Sequence, residues 1–400
     1  MSDILENGPR RPKSRLRYGA LILVGAAVVA IIAVRAGQHR SPEKKVAQPV
    51  SRTAAPYFGP APTAPPAHQL KGVPLGRDTQ AELLLAGSGL ATVDAGSGNT
   101  NSVFALNLQA LQRGSFITAL VRLHGGVAAS VTGVGGSVLL LNNHGSTVRT
   151  IASAPLVAAA ADDSDLWLLG AAGDAGSTAI TRIDESGRVL AGPTDIPLGT
   201  VYRGTPAGLV GYSARAQAVE VWNTSTGKAT RIAAADPHNS YLDGTADTVA
   251  WTDDSAACHL HCIRVAQIGD RISVRTITLP AGYLVSAQLG AGAISRDGTR
   301  LAVVADETAH RDGPLASRAV LSVDLASGAT RIVPGTAFAG EAADVRLSLA
   351  WDPDGRALWI ADSDDRDAIP AQLGRWPLGG PLEVTTTRTS EVGTILRLDP

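Results

Sequence analysis

A chain of 400 residues that is 44% apolar can bury a large core, and its net charge of −1 provides no field to hold nucleic acid or an anionic membrane surface. With 43 Gly and 23 Pro against 4 Phe and 1 Met, it is rich in turns and leaves the core to Val, Leu, Ile and Ala, as β-proteins do.

The first element is apolar. Arg10, Arg11, Lys13, Arg15 and Arg17 lead into YGALILVGAAVVAIIAV, uncharged from Tyr18 to Val34 and closed by Arg35. As a helix this run spans about 25 Å, just short of a bilayer's hydrocarbon core, and its flanking arginines can snorkel to the headgroups. It has no polar face, so the sequence predicts a transmembrane helix or signal anchor at 18–34 behind a basic cytoplasmic leader at 1–17. Everything after Arg35 is then extracytoplasmic; the alternative is secretion after signal cleavage near Ala36. Residues 35–74 follow as a Pro-rich linker containing Pro42, Pro49, Pro56, Pro60, Pro62, Pro65, Pro66 and Pro74. That composition favours polyproline II over a packed element.

From residue 75 to 400 one hairpin recurs: an apolar strand, a turn of Asp, Asn, Ser or Gly type, and a second strand with Thr or Arg. It reads LATVDAGSGNTNSV, VLLLNNHGSTVRTI, ITRIDESGRVL, VEVWNTSTGKATRI, IRVAQIGDRISVRTI, LSVDLASGATRIV and GRWPLGGPLEVTT. Its turn positions, Asp94, Asn143, Asp184, Asn223, Ile268, Asp324 and Pro377, are 39 to 56 residues apart, about 47 on average, the length of a four-stranded propeller blade. A second hairpin precedes it in AISRDGTRLAVVAD and LAWDPDGRALWIAD, completing four strands per unit. The first unit lacks an inner strand because only Leu83 to Ala86 precede its hairpin, whereas an unpaired GTILRL, Gly393 to Leu398, follows the last. The fold class predicted is all-β: a seven-bladed β-propeller closed by a C-terminal strand, with one N-terminal transmembrane helix.

SRDGTRLAVVAD and DPDGRALWIAD resemble the repeat strands of TolB-like and WD40-like propellers, and the anchor with its Pro-rich stalk resembles membrane-anchored actinobacterial members of that group. The resemblance covers roughly Leu83 to Pro400 and implies a fold; such propellers dock proteins or peptides, but no binding residue of the group maps onto a position in this chain.

The densest local chemistry is Cys258-His-Leu-His-Cys262. Two thiols this close outside a membrane are expected to form a disulfide. The rival reading, a metal site with His259 and His261, requires four ligands within five residues to converge on one tetrahedral centre. Asp162, Asp163 and Asp165, and Asp362, Asp364, Asp365 and Asp367, form acidic runs without EF-hand spacing and read as solvated loop carboxylates. His124, His144, His238 and His310 lie in turn-like sequence, and six tryptophans, Trp167, Trp222, Trp251, Trp351, Trp359 and Trp376, fall on strands as packing between blades. No nucleophile has a plausible paired base, so neither catalytic nor cofactor-binding or metal-binding residues are assigned. The reading is a binding or scaffolding module for a protein, peptide or envelope ligand, with no cofactor and no nucleic-acid partner. The alternative is a propeller hydrolase or lyase with its site at the mouth of the central channel, distinguishable by what the inner strands place there.

Overall fold

The computed structural model describes residues 69–398 apart from 107–114, 134–135, 153–155, 172–173, 175, 236–239, 256, 289, 309–314, 340–344, 365–370 and 388–391. The expected leader, membrane span and most of the linker lie outside the described residues, and no helix occurs within them.

Local sequence sets the hairpins. Where an apolar run meets an Asp or Asn, the side chain accepts the N–H groups that follow and turns the chain back. Asp94 takes Ser97 N at 2.7 Å, Asp184 takes Ser186 N at 3.0 Å, Asn223 takes Thr226 N at 2.9 Å and Asp324 takes Ser327 N at 2.8 Å. In the second blade Asn142, not its neighbour Asn143, does this, accepting His144 N at 3.0 Å and Ser146 N at 2.9 Å. The turns close through left-handed glycines such as Gly227 (φ 64°) and Gly328 (φ 77°), a conformation other L-residues adopt at a cost.

These hairpins build seven antiparallel sheets, each a blade. From the channel outward, blade 1 contains Thr394–Arg397, Glu82–Ala86, Gly89–Asp94 and Thr100–Ala105. Blade 2 contains Phe116–Leu123, Gly126–Thr132, Ser137–Asn142 and Thr147–Ala152; blade 3 contains Leu156–Ala159, Asp165–Ala171, Thr178–Asp184 and Val189–Ile196. Blade 4 contains Thr200–Thr205, Gly208–Ser213, Ala218–Asn223 and Lys228–Ala234; blade 5 contains Tyr241–Gly244, Thr248–Asp253, Cys262–Ile268 and Ile272–Thr278. In blade 6 the short strands Tyr283–Val285 and Gly292–Ile294 both pair with Arg300–Thr308, which is followed by Leu315–Asp324 and Thr330–Ile332. Blade 7 contains Val345–Trp351, Ala357–Asp364, Gln372–Pro377 and Glu383–Thr386. The chain is a seven-bladed propeller.

The ring closes with the C-terminal strand. Thr394–Arg397 lies antiparallel to the second strand of blade 1, Leu83 opposite Arg397 and Ala86 opposite Thr394. Arg397 secures the seam, donating to Glu82 O at 2.9 Å and approaching Asp352 of blade 7 at 3.6 Å, while its own carbonyl accepts from Arg122 of blade 2. A second closure was not foreseen. Val73–Pro74, inside the segment composition assigns to the linker, adds a parallel strand to the outer edge of blade 7, with Val73 N to Leu382 O and Leu75 N to Val384 O both 2.9 Å. Leu70 is buried beside it, so the propeller's own packing starts a few residues before 75.

Second and third strands are enclosed on both faces by neighbouring blades, which is why they read as unbroken apolar runs. Leu83–Leu85, Leu139–Leu140 and Leu301–Ala305 are at most 1% exposed. Trp251, Trp359 and Trp376 are fully buried and Trp351 nearly so, as packing between blades demands; Trp167 and Trp222 are only partly covered. Outer strands face solvent, and Val189–Ile196 is exposed at every position but its last.

Candidate functional site

Antiparallel order sends the turns after the first and third strands of every blade to one face. Toward that face the inner strands of all seven blades surround a chamber of about 500 Å³ on the channel axis. Most of its wall is small or aliphatic: Ala119 to Val121, Val157 to Ala159, Val201, Ala293, Ile294, Leu349, Ala350 and Ile395.

Arg122, Arg296 and Asp352 bring charges to the wall from blades 2, 6 and 7, and the densest polar cluster comes from blades 3, 4 and 5. The inner strands of blades 4 and 5 each have a break in register, between Val201 and Arg203 and between Tyr241 and Asp243. A bulge redirects the side chains around it, and these two bring Tyr202, Arg203, Tyr241 and Asp243 to the same level. The Tyr202 and Tyr241 rings stack with centroids 5.1 Å apart and planes at 10°. Arg203 reaches back to Asp163 at 3.2 Å, and Asp163 holds a left-handed φ of 56° in the first turn of blade 3, where its carbonyl also accepts His124 N of blade 2 at 3.0 Å. Gly244 makes room for this arrangement: a Cβ there would lie 3.1 Å from Arg203 Cδ and 3.2 Å from the Tyr241 hydroxyl.

Asp243 is the unusual acid. Burial pushes its carboxyl above the ordinary range, opposed by the N–H groups of Ile294, at 2.6 Å, and Gly244, and then by the Arg203 guanidinium. Burial likewise raises the Tyr241 phenol, with the Asp243 charge adding to it. A raised carboxyl beside a phenol and an arginine can exchange a proton or hydrogen-bond a ligand. Among the described residues no group of His, Cys, Asp and Glu is arranged to hold a metal ion.

A cleft between blades 3 and 4, about 410 Å³, shares Ala161 and Asp162 with the chamber wall. Trp167 lines it with Arg182 5.7 Å above its ring, and Arg182 Nε donates to the buried Asp165 at 2.7 Å. The acidic run therefore differs from its expected solvated state. Asp163 and Asp165 are ion-paired, and only Asp162 is an exposed turn residue, held below the ordinary carboxylate range chiefly by the Ser164 hydroxyl. Asp362 is buried within a strand of blade 7, whereas Asp365 and Asp367 lie outside the described residues.

Cys258 and Cys262 are at disulfide distance, Cα–Cα 5.3 Å, in the turn joining the second and third strands of blade 5 on the opposite face. The loop between them turns through left-handed His259 (φ 47°) and Leu260 (φ 65°). His261 Nδ1 contacts Tyr283 O at 2.7 Å, and because a carbonyl only accepts, that nitrogen carries the proton. His124 and His144 are exposed in turns; His238 and His310 lie outside the described residues.

The chamber residues carry little signal in sequence. Arg203 and Asp243 were not singled out, and their one mark is a charge inside a short inner strand, TVYRGT or YLDG, where the alternation breaks.

No protein-family model matches the chain, and no curated protein matches it. Similar solved structures include a quinoprotein alcohol dehydrogenase-like protein from Bacteroides thetaiotaomicron, at 8% identity over 80% of this chain and 79% of that one, TM-score 0.49. Another is prolyl oligopeptidase B from Galerina marginata, at 10% identity, TM-score 0.47; 78% of this chain is covered but only 48% of the oligopeptidase, so this chain matches about half its length. The β-propeller domain of the Trilobed protease from Pyrococcus furiosus shares 10% identity over 67% of this chain and 82% of that one, TM-score 0.40. No residue role is transferred from them.

Proposed function

We propose that the chain is a ligand-binding module, tethered by its N-terminal apolar segment with the propeller on the extracytoplasmic side, and that the channel chamber is its site for a protein, peptide or envelope ligand. The observation that carries this is the chamber's inventory: small and aliphatic residues from seven strands around charged groups of both signs, among them the ion pair of Asp163 and Arg203. A cavity that joins apolar wall residues to convergent polar groups suits binding. The cysteine pair supports the assignment to an oxidising compartment.

One observation favours the second reading. Asp243, its carboxyl raised by burial, has the character of a general acid, so a hydrolase or lyase would place its chemistry there. Incubating the full-length chain with amide, ester and glycoside libraries, while following both melting temperature and products, separates the two. Stabilisation by a ligand class without turnover is expected; turnover abolished by Asp243→Asn would replace the binding reading with the enzymatic one.

A further inference from the structure

The chamber's own groups specify what kind of ligand it takes, an inference that rests on the channel being the binding site. Arg203 brings five N–H donors to the chamber, and its side chain is 13% exposed. Among the described residues its guanidinium has one side-chain contact, Nη2 to Asp163 at 3.2 Å, and its Nε–H is buried without an acceptor. An arginine so placed is under-satisfied, and a small rotation brings unused donors to bear on an acceptor in the chamber. Asp243, on the next blade, is an acceptor with capacity left beyond the Ile294 and Gly244 N–H groups.

Charge restricts the choice. Arg203 is ion-paired with Asp163, and the other charged residues of the chamber wall, Arg122, Arg296, Asp162 and Asp352, are of both signs, so the chamber offers no one-signed field to draw in a charged ligand. A donor, Arg203, beside an acceptor, Asp243, suits an uncharged group with an acceptor and a donor close together, and the rest of the ligand meets Ala119, Val157, Val201 and Ile395 on the wall. A secondary amide flanked by small aliphatic side chains meets both demands. Asp163 agrees with this: a non-glycine residue at φ 56° is retained at a cost where the fold needs its side chain in one place, here orienting the arginine.

We propose that the chamber binds a short apolar peptide segment through one of its amides, the carbonyl accepting from the Arg203 guanidinium and the N–H donating to the Asp243 carboxyl.

The test uses the full-length chain in lipid nanodiscs and saturation-transfer NMR with two probes, N-acetyl-valyl-alaninamide, which is neutral, and N-acetylvaline, which is anionic at neutral pH. The neutral probe should receive saturation from the wild type and bind at least tenfold more tightly than the anionic one. Arg203→Met and Asp243→Leu should each weaken it at least tenfold. Should either variant fold poorly, Ala119→Phe narrows the chamber while leaving both polar groups in place and should weaken the neutral probe to the same extent. Tighter binding of N-acetylvaline would overturn the amide assignment while leaving a channel binding site intact, and absence of saturation transfer to both probes would overturn it too. Cleavage of the neutral probe would instead remove the binding-module reading beneath it.

Discussion

Deleting Gly393 to Pro400 removes the strand that closes the ring. Four residue pairs join Thr394–Arg397 to Leu83–Ala86, flanked by Gly393 N to Ala86 O at 2.6 Å and Leu398 N to Glu82 O at 2.9 Å. About six backbone hydrogen bonds at about 1 kcal/mol net each, with Ile395 and Leu398 buried at about 2 kcal/mol each, contribute roughly 10 kcal/mol. Ordering the segment costs about 1.2–1.5 kcal/mol for each of about six residues, leaving about 1–3 kcal/mol. For a domain of this size that lowers Tm by about 1–4 °C. The deletion also uncovers Leu83, Leu84 and Leu85, each at most 1% exposed in the intact ring, as an open apolar edge, so aggregation should accompany melting. The assay is thermal unfolding with light scattering of the full-length chain, of this variant, and of a chain lacking eight residues between Pro42 and Pro66. The stalk deletion should melt with the wild type. Coincident curves for the two deletions would refute the idea that the C-terminal strand holds the seam.

Three further outcomes are expected. Replacing both Cys258 and Cys262 with Ser should cost about 2 kcal/mol through the short closed loop, measured by denaturant unfolding, and the wild-type peptide should gain two mass units on reduction. The Asp184 carboxyl is lowered to about 2, chiefly by the Ser186 hydroxyl and then by the Arg188 N–H. A depressed acid stabilises the fold above its unfolded value, near 3.8, and this is lost as pH falls through about 2, so the Tm gap between wild type and Asp184→Asn should narrow from pH 4 to pH 2. A cysteine at Ser41 should react with an impermeant maleimide in intact cells; labelling only after permeabilisation would reverse the proposed topology.

The blades were legible because each rule that makes them is local. Asp94, Asp184, Asn223 and Asp324 mark turns through their own side chains, and alternating apolar residues around them can only be strands. The closing strand was legible because GTILRL had no partner near it in sequence and Leu83–Ala86 lacked one. Two features were not legible, for opposite reasons. Val73–Pro74 joins blade 7 through backbone groups alone, so its Pro-rich composition said nothing about pairing. The chamber cluster depends on two bulges and on the packing of three blades around Arg203, and residues 40 positions apart, such as Asp163 and Arg203, share no local pattern. The acidic run of blade 3 misled for the same reason, since the partners of Asp163 and Asp165 lie across strands.

The most direct test of the central claim is photo-cross-linking in the native cell from a benzophenone amino acid at Leu120, half-buried in the chamber wall, compared with one at exposed Val189 on the rim of blade 3. If the chamber is the binding site, Leu120 should give a discrete adduct that Arg203→Met abolishes and Val189 does not give. The same adducts from both positions, or none from Leu120 with the protein folded and in place, would contradict it.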